Sequence, residues 1–157
     1  MSACPAYLAD YADRYASAPR AAATQWFRDA KFGLFMHYGL YSLVGRHEWL
    51  QCKEAIHVGD YAPLACDFRA NRFEPEAIAD MVVDAGMKYI NITTRHHDGF
   101  CLWDTKQTTF NSVQAAPCGR DLVAELAAAC EKRGLRLCLY SSHGRDWKHP
   151  YAPNNVQ

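Results

Sequence analysis

The feature that most restricts how this chain can fold is a run of mostly aromatic and β-branched residues that ends abruptly in polar ones. Residues 89–94, YINITT, are too few for a convincing helix and fit a strand covered on both faces. His96, His97 and Asp98 follow at once, and Gly99 permits a turn with positive φ. The pattern therefore predicts a buried strand with two histidines at its C-terminal end, the edge where parallel α/β proteins carry their functional residues.

Two other segments repeat this arrangement of an apolar strand followed by a histidine. Residues 32–38, FGLFMHY, are nearly continuously apolar, which predicts a strand with two covered faces, and it ends in His37. Residues 135–140, LRLCLY, predict a third strand that leads into a polar segment containing His143. A single histidine is more often a satisfied core residue, and an isolated pair more often caps a turn or lies in solvent. The repetition gives a shared functional edge about the same weight as these structural roles.

Helical patterns separate the predicted strands. Pro75 stands at an early helical position, and Gly86 is expected to end that helix. Its inner face is expected to hold four apolar residues, Ile78, Met81, Val82 and Ala85. A second helix is expected to begin near residues 120–121 and to end before Gly134. Its apolar stripe consists of Leu122, Val123, Leu126, Ala129 and Cys130.

The N-terminal region and the long loops complete the predicted order of elements. Residues 1–20 predict a short helix or arm ending at Pro19, and Thr24 is expected to cap a short helical turn. Residues 40–70 show no clear periodicity and predict a long loop, a kind of segment that is usually functional in a compact domain. Because each long loop follows a strand, we expect an α/β fold with parallel strands and elaborated loops at their C-terminal ends.

This order of elements also predicts which residues lie near one another. Right-handed crossovers would bring His37, His96, His97 and the end of the third strand to one rim. A doubly wound sheet is an alternative fold for this order of elements, but no G-x-G-x-x-G or P-loop sequence supports nucleotide binding.

Composition excludes several classes of partner. The 157 residues are half hydrophobic and carry no net charge, which fits one ordinary domain and argues against nucleic acid or an anionic membrane as a partner. No segment is long and apolar enough to span a bilayer, and the N-terminus lacks a signal-peptide pattern. Seven cysteines without any CxxC pair argue against a zinc knuckle and favour a reducing compartment. We therefore expect a cytoplasmic protein.

Five motifs between Thr24 and Trp147 resemble those of a known enzyme family in order and spacing. They are WFRDAKFGLFMHYGLYS, HEWL, TTRHHDGFCLWDTKQTTFNSV, RDLVAELAAACEKRGLRLCLYSS and DW. Together they resemble the N-terminal half of the catalytic domain of glycoside hydrolase family 29, the α-L-fucosidases. The resemblance implies a partial (β/α)8 TIM barrel, of which this chain carries the first three βα units. Residues 1–23 would be an N-terminal arm, and residues 24–157 the incomplete N-terminal portion of the barrel.

The resemblance also implies a pocket for fucose, without metal or cofactor. Matching the motifs residue by residue assigns six residues to that pocket: His37, Glu48, Trp49, His96, His97 and Tyr140. Neutral imidazoles can exchange directional hydrogen bonds with sugar hydroxyls, and Trp49 can pack against the methyl-bearing face of the 6-deoxy ring. Two positions depart from the family pattern, since Arg95 stands where lysine is common and Ser141 where a second tyrosine is common.

Acidic residues are the weak point of this interpretation. In the family the aspartate nucleophile follows the fourth strand and the usual acid/base comes later, so both are expected outside this chain. Glu48 is the acidic residue considered as an acid/base; Asp98 is expected to cap a turn, and Asp104 and Asp146 to be structural. We therefore expect a truncated retaining α-L-fucosidase that binds fucosylated carbohydrate and is inactive alone. Its open sheet edge after the third strand is expected to promote self-association.

Two alternatives belong to other functional classes. One is a metal-dependent barrel hydrolase with His37, His96, His97 and His143 as ligands, although no carboxylate is arranged with them and adjacent histidines tend to point apart. The other is a non-catalytic fucose-binding module that retains the pocket without the chemistry.

Overall fold

The computed structural model describes residues 3–151, which form an α/β fold around a parallel sheet with strand order β1-β2-β3. The strands are β1 (Leu34–Met36), β2 (Tyr89–Arg95) and β3 (Arg136–Ser141). Beside the start of β2, the Arg136 amide donates to the Lys88 carbonyl (3.3 Å); beside its end, the Ser142 amide donates to the Arg95 carbonyl (3.0 Å). Start pairs with start and end with end, so β2 and β3 are parallel. The predicted α/β class is confirmed.

Helices occupy most of the chain between the strands. The α-helices are α1 (Ala12–Ser17), α2 (Pro19–Ala30), α3 (Tyr41–Val44), α4 (Leu50–Lys53), α5 (Val58–Tyr61), α6 (Pro75–Asp84) and α7 (Leu122–Lys132), and 3-10 helices span Ala6–Tyr11 and Ala62–Asp67. Within residues 3–151, no helix has both the length and the apolarity needed to cross a membrane. Residues 1–2 and 152–157, the outer ends of the predicted arm and barrel segments, lie outside the described residues.

The central strand agrees with its prediction and the first strand does not. In β2 the adjacent residues Ile92 and Thr93, whose side chains point to opposite faces, are both almost completely buried, as a strand with two covered faces requires. The first strand was predicted over residues 32–38 with two covered faces, but β1 has three residues and Phe35 within it is 51% exposed. Within residues 3–151, β1 is an edge strand that pairs with β2. The prediction was wrong there because an apolar sequence does not by itself determine which other elements cover the faces of a strand.

Gly33, immediately before β1, lies against the ring of Tyr89. A Cβ atom at residue 33 would stand 2.4 Å from that ring, whose position is fixed by Trp26 and Phe27 at centroid distances of 6.2 and 5.8 Å. We therefore predict that Gly33→Ala lowers the free energy of unfolding by about 1–2 kcal/mol through overpacking. Chemical denaturation of both proteins measures this loss.

The matched control for this substitution is Gly144→Ala, because a Cβ atom at Gly144 meets no atom within 4 Å. It should leave the denaturation midpoint within experimental error of the wild type. Equal stability of the Gly33→Ala variant and the wild type would show that the Tyr89 ring moves aside freely.

Helix α2 begins earlier than the sequence indicated. Pro19 is its first residue, where the fixed φ of proline suits the first helical turn. Thr24 was expected to be a cap, but it lies within the helix, and its hydroxyl donates to the Arg20 carbonyl at 2.9 Å. The prediction was wrong because threonine inside a helix can form this backbone contact one turn back, so its presence does not define a helix start.

Helices α6 and α7 follow their predicted boundaries, with two errors in the buried face of α6. Helix α6 starts at Pro75 as predicted and buries Ala79 and Val82, but Met81 is 52% exposed. Ala85, which follows the last residue of the helix, is also exposed rather than buried. Helix α7 starts where predicted, and the carboxylate of Asp121 accepts a hydrogen bond from the Ala124 amide at 2.8 Å, which caps its first turn.

Residues 40–70 are not an irregular loop. They contain α3, α4, α5 and the 3-10 helix Ala62–Asp67. Each α-helix here has four residues, which is too short to produce a recognisable hydrophobic period. Helix α3 ends at Gly45, whose φ of 70° is the left-handed conformation that favours glycine at a helix end.

The chain divides into two compact units. One consists of Met1–Phe35, Pro75–Asn91 and Leu126–Cys138, and the other of Met36–Glu74, Ile92–Glu125 and Leu139–Gln157. In the first unit the carboxylate of Glu76 accepts hydrogen bonds from Lys132 and Arg133, each at 2.6 Å. In the second unit, the rings of Phe68 and Phe110 pack at centroid distances of 5.4 and 5.1 Å from Phe100. All six predicted pocket residues belong to the second unit.

Candidate functional site

The predicted rim is present at the C-terminal ends of the strands. His96 and His97 follow β2 directly, and their ring centroids lie 4.1 Å apart. The ring of His37, which follows β1, lies 5.6 Å from that of His96. Tyr140 in β3 lies 6.1 Å from His96 with nearly parallel planes. Three chain segments that are far apart in the sequence therefore place imidazole and phenol rings side by side.

The turn that carries the two histidines is fixed by Asp98. One carboxylate oxygen of Asp98 accepts the Phe100 amide at 3.1 Å, and the other accepts the Tyr61 hydroxyl at 3.0 Å. The turn also needs Gly99, whose φ is 81°. Burial raises the pKa of Asp98 to about 6. The prediction that Asp98 caps this turn is confirmed, and the carboxylate is occupied by structural contacts.

His96 is held as a neutral ring. It is 4% exposed, and this burial lowers its pKa to about 3, with the neighbouring His97 and His37 adding to the effect. The Tyr41 ring packs against it edge-on at 5.4 Å. Its buried Nδ1 atom has no hydrogen-bond partner in the part of the chain that the structure describes. At physiological pH His96 can therefore act as a hydrogen-bonding group and not as a cation.

The surroundings of His97 also favour the neutral form of its imidazole ring. Burial lowers its pKa, and the guanidinium of Arg145 adds to the lowering while Glu48 opposes it. Its Nδ1 atom lies 2.7 Å from the Ser142 hydroxyl, and its carbonyl accepts the Trp147 amide at 2.6 Å. Ring and backbone of His97 are thus both tied to the segment that follows β3.

An ion pair also joins the end of β2 to the segment that follows β3. Arg95 forms an ion pair with Asp146 and donates to the Ser142 carbonyl at 2.6 Å. The expectation that Asp146 is structural is confirmed by this pair. Asp104 is exposed, and its backbone amide donates to Asp121 at 3.0 Å.

Trp49 and Trp147 form the aromatic side of the site. The Trp49 ring lies 5.0 Å from His97 and 5.5 Å from Trp147, both edge-on. Trp147 is almost fully buried, and the Arg145 guanidinium lies 5.0 Å from the Trp49 centroid. These contacts fix the orientation of Trp49, which has one face against a cation.

Glu48 lies in the turn just before α4, beside Trp49, and is half-buried. Its charge raises the pKa of both His97 and Tyr41, which places it electrostatically at the same site. The structure therefore assembles all six predicted pocket residues in one unit.

The metal-binding alternative finds no geometric support. Within residues 3–151, no three or more His, Cys, Asp or Glu side chains are grouped in a way that could hold a metal ion. His143, one of the four suggested ligands, is exposed.

Sequence reasoning missed four contributors to the site: Tyr41, Tyr61, Ser142 and Trp147. Three of them contact the histidines or Trp49, and Tyr61 holds the Asp98 turn. Trp147 was quoted within a motif without a role, although a tryptophan in a polar segment is a signal for an anchoring contact. Nothing in the local sequence distinguishes Ser142 from Ser141.

The two buried ionisable groups of the site predict opposite effects of pH on stability. His96 has an ordinary pKa of 6.5 and about 3 in the fold, so between these values the unfolded chain binds the extra proton and stability falls as pH falls. Asp98 has an ordinary pKa of 3.8 and about 6 in the fold, so there the folded chain binds the extra proton and stability falls as pH rises.

We therefore expect two variants to change the pH slope in opposite directions. Between pH 4 and 6, His96→Gln should make the slope of unfolding free energy against pH less positive by up to about 1.4 kcal/mol per pH unit. Asp98→Asn should make it more positive by a similar amount. Urea denaturation at several pH values measures both, and parallel slopes for all three proteins would contradict the assigned burial effects.

A family model, curated proteins and solved structures that resemble this chain all point to the same family. A model of the family described as alpha-L-fucosidase matches residues 3–157. The tissue alpha-L-fucosidase of Rattus norvegicus is 40% identical over 143 residues, which are 80% of this chain and 30% of that protein. A solved alpha-L-fucosidase isoenzyme 1 from Paenibacillus thiaminolyticus is 43% identical with a TM-score of 0.78, covering 82% of this chain and 30% of that one.

A second solved structure carries a sugar. It is an alpha-L-fucosidase from Lactobacillus casei in complex with alpha-L-fucose product, 38% identical with a TM-score of 0.78. The match covers 82% of this chain and 42% of that one. The chain thus spans less than half the length of each of these relatives.

Proposed function

The chain belongs to the α-L-fucosidase family, glycoside hydrolase family 29, and on that premise we propose that it forms the sugar-binding part of a retaining α-L-fucosidase active site. The substrate would be a terminal α-L-fucose on a glycoconjugate. The three strands would be the first βα units of a (β/α)8 barrel, whose active site lies at the C-terminal ends of its strands. One solved relative, an alpha-L-fucosidase carrying a point substitution, is in complex with 4-nitrophenyl α-L-fucopyranoside in one structure and with a fucosyl-GlcNAc disaccharide in another.

One observation carries this proposal. His37, His96, His97 and Tyr140 meet at the rim, and both central histidines have a pKa lowered by burial. Neutral imidazoles offer one donor and one acceptor in fixed directions, which suits neighbouring sugar hydroxyls and not a charged ligand. Trp49 adds an apolar ring surface beside them, and Glu48 a carboxylate.

The same structure limits the chemistry that this chain can supply. Retaining hydrolysis needs two carboxyl groups about 5–5.5 Å apart, one as nucleophile and one as acid/base. Asp98 is engaged at both oxygens and Asp146 is paired with Arg95. Glu48 therefore remains the acid/base candidate, and we propose that the nucleophile is not among the described residues.

The test is to mix the 157-residue chain with 4-nitrophenyl α-L-fucopyranoside while recording nitrophenol release and binding. We expect saturable binding that L-fucose displaces, without turnover, and loss of binding in His96→Ala. Absence of binding would contradict the proposed function. Turnover that His96→Ala abolishes would place a nucleophile within this chain and would overturn the assignment of the carboxylates.

Two further parts of the proposal concern assembly and location. Phe35 in β1 and Leu139 in β3 are both exposed apolar strand residues, and uncovered strands of this kind favour association between chains. All seven cysteines are free, five of them at least partly accessible, which supports a reducing compartment such as the cytoplasm.

A further inference from the structure

Ser142, immediately after β3, is fixed at every polar atom. Its backbone amide donates to the Arg95 carbonyl at 3.0 Å, and its own carbonyl accepts from the Arg95 guanidinium at 2.6 Å. The residue is 4% exposed. The position of its hydroxyl oxygen is therefore determined by the surrounding structure and not by solvent.

The single hydrogen of the Ser142 hydroxyl has two competing neighbours. The Arg145 carbonyl oxygen lies at 2.7 Å, and the Nδ1 atom of His97 also lies at 2.7 Å. A carbonyl oxygen can only accept, so the hydroxyl hydrogen must point to Arg145. The serine oxygen is then left as an acceptor, and the contact with His97 is a hydrogen bond only if Nδ1 carries a proton.

From this geometry we propose that Ser142 is a positioning residue that holds His97 in the Nδ1–H tautomer, so that Nε2 accepts a hydrogen bond from a sugar hydroxyl. A neutral imidazole carries one proton, and with that proton on Nδ1 the remaining lone pair is on Nε2. The inference rests on the proposed function for the identity of the hydroxyl donor, and on the local contacts alone for the tautomer.

The neighbouring His96 has no such contact. Its buried Nδ1 atom has no partner among the described residues, so the serine contact acts on His97 and not on His96.

The tautomers can be read directly by nuclear magnetic resonance. In the 157-residue chain labelled with ¹⁵N-histidine, long-range ¹H–¹⁵N correlation distinguishes the protonated ring nitrogen from the one with a lone pair. The His97 signals are identified by their absence in His97→Gln. We expect a protonated Nδ1 in the wild type, a shift towards protonated Nε2 in Ser142→Ala, and recovery of the wild-type pattern in Ser142→Thr, which keeps the hydroxyl.

Two spectroscopic results would overturn the inference. One is a wild-type His97 with its proton on Nε2, which needs no variant to fold. The other is an unchanged Nδ1–H pattern in a folded Ser142→Ala variant, which would show that the serine does not select the tautomer.

A titration with L-fucose separates this inference from the proposed function. Loss of the serine contact is expected to weaken L-fucose binding about tenfold in Ser142→Ala, with recovery in Ser142→Thr. If the tautomers of the wild type and of Ser142→Ala are as stated and L-fucose does not bind, the positioning of His97 by Ser142 stands and the proposed function fails. If L-fucose binds equally well to Ser142→Ala and the wild type, Ser142 has no part in binding and the inference is wrong.

Discussion

Replacing Trp147 with alanine is expected to lower the free energy of unfolding by about 3–5 kcal/mol. The side chain is 1% exposed and packs edge-on against Trp49 and His97 at 5.5 and 5.1 Å. Removing it would leave a cavity the size of an indole ring beneath both residues, and this cavity adds to the lost burial of apolar surface. Chemical denaturation measures the loss, and the Trp49 contribution to fluorescence should change with it.

Two controls bracket this effect. Tyr151→Ala removes an aromatic ring that is 90% exposed and should change stability by less than about 0.5 kcal/mol. Trp147→Phe keeps a ring and removes an indole N–H that has no partner among the described residues. Its free energy of unfolding should therefore fall far less than that of the alanine variant. Equal stability of the Trp147→Ala variant and the wild type would show that this ring does not anchor the site.

The second large effect is expected at Arg95, where Arg95→Met should lower the free energy of unfolding by about 2–3 kcal/mol. Its guanidinium pairs with Asp146 and donates to the Ser142 carbonyl at 2.6 Å, so methionine would leave both acceptors without their donor. The Arg95 side chain is mostly buried, which makes these charge-assisted bonds stronger than an exposed pair.

Arg95→Lys is the informative control, because lysine keeps the positive charge and changes only the geometry of the donors. A lysine has a single point of charge and cannot reproduce the fork of two separated guanidinium donors. The free energy of unfolding of Arg95→Lys should therefore lie between those of the wild type and Arg95→Met. A lysine variant as stable as the wild type would mean that one of the two contacts contributes nothing. Thermal and urea denaturation provide the comparison.

The elements that sequence reasoning predicted well are those whose signal is local. Strand β2 and helix α7 have strong hydrophobic patterns with clear end signals, and the HHDG turn combines a capping aspartate with a glycine at positive φ. The common rim followed from chain order alone, because the handedness of βα connections determines which strand ends meet.

The errors arose where tertiary contacts decide the outcome. Phe35 and Met81 are apolar and exposed, since burial depends on which neighbours cover a strand or helix and not on the residue type. Within residues 40–70, helices α3 and α5 carry Tyr41 and Tyr61, whose hydroxyls contact Thr93 and Asp98 far along the chain. Such contacts leave no periodic pattern in the sequence. The contact between Ser142 and His97 joins residues 45 positions apart, and a serine has no sequence signal for such a role.

The measurement that tests the central claim most directly is binding of L-fucose to the wild-type chain by isothermal titration calorimetry, with D-fucose as the mirror-image control. Fixed donors and acceptors on His96 and His97 distinguish the two enantiomers, whereas non-specific contact with aromatic rings does not. We predict saturable binding of L-fucose with one site per chain and no detectable binding of D-fucose. Equal heats for both sugars, or no binding of L-fucose, would contradict the assignment of this rim as a fucose site.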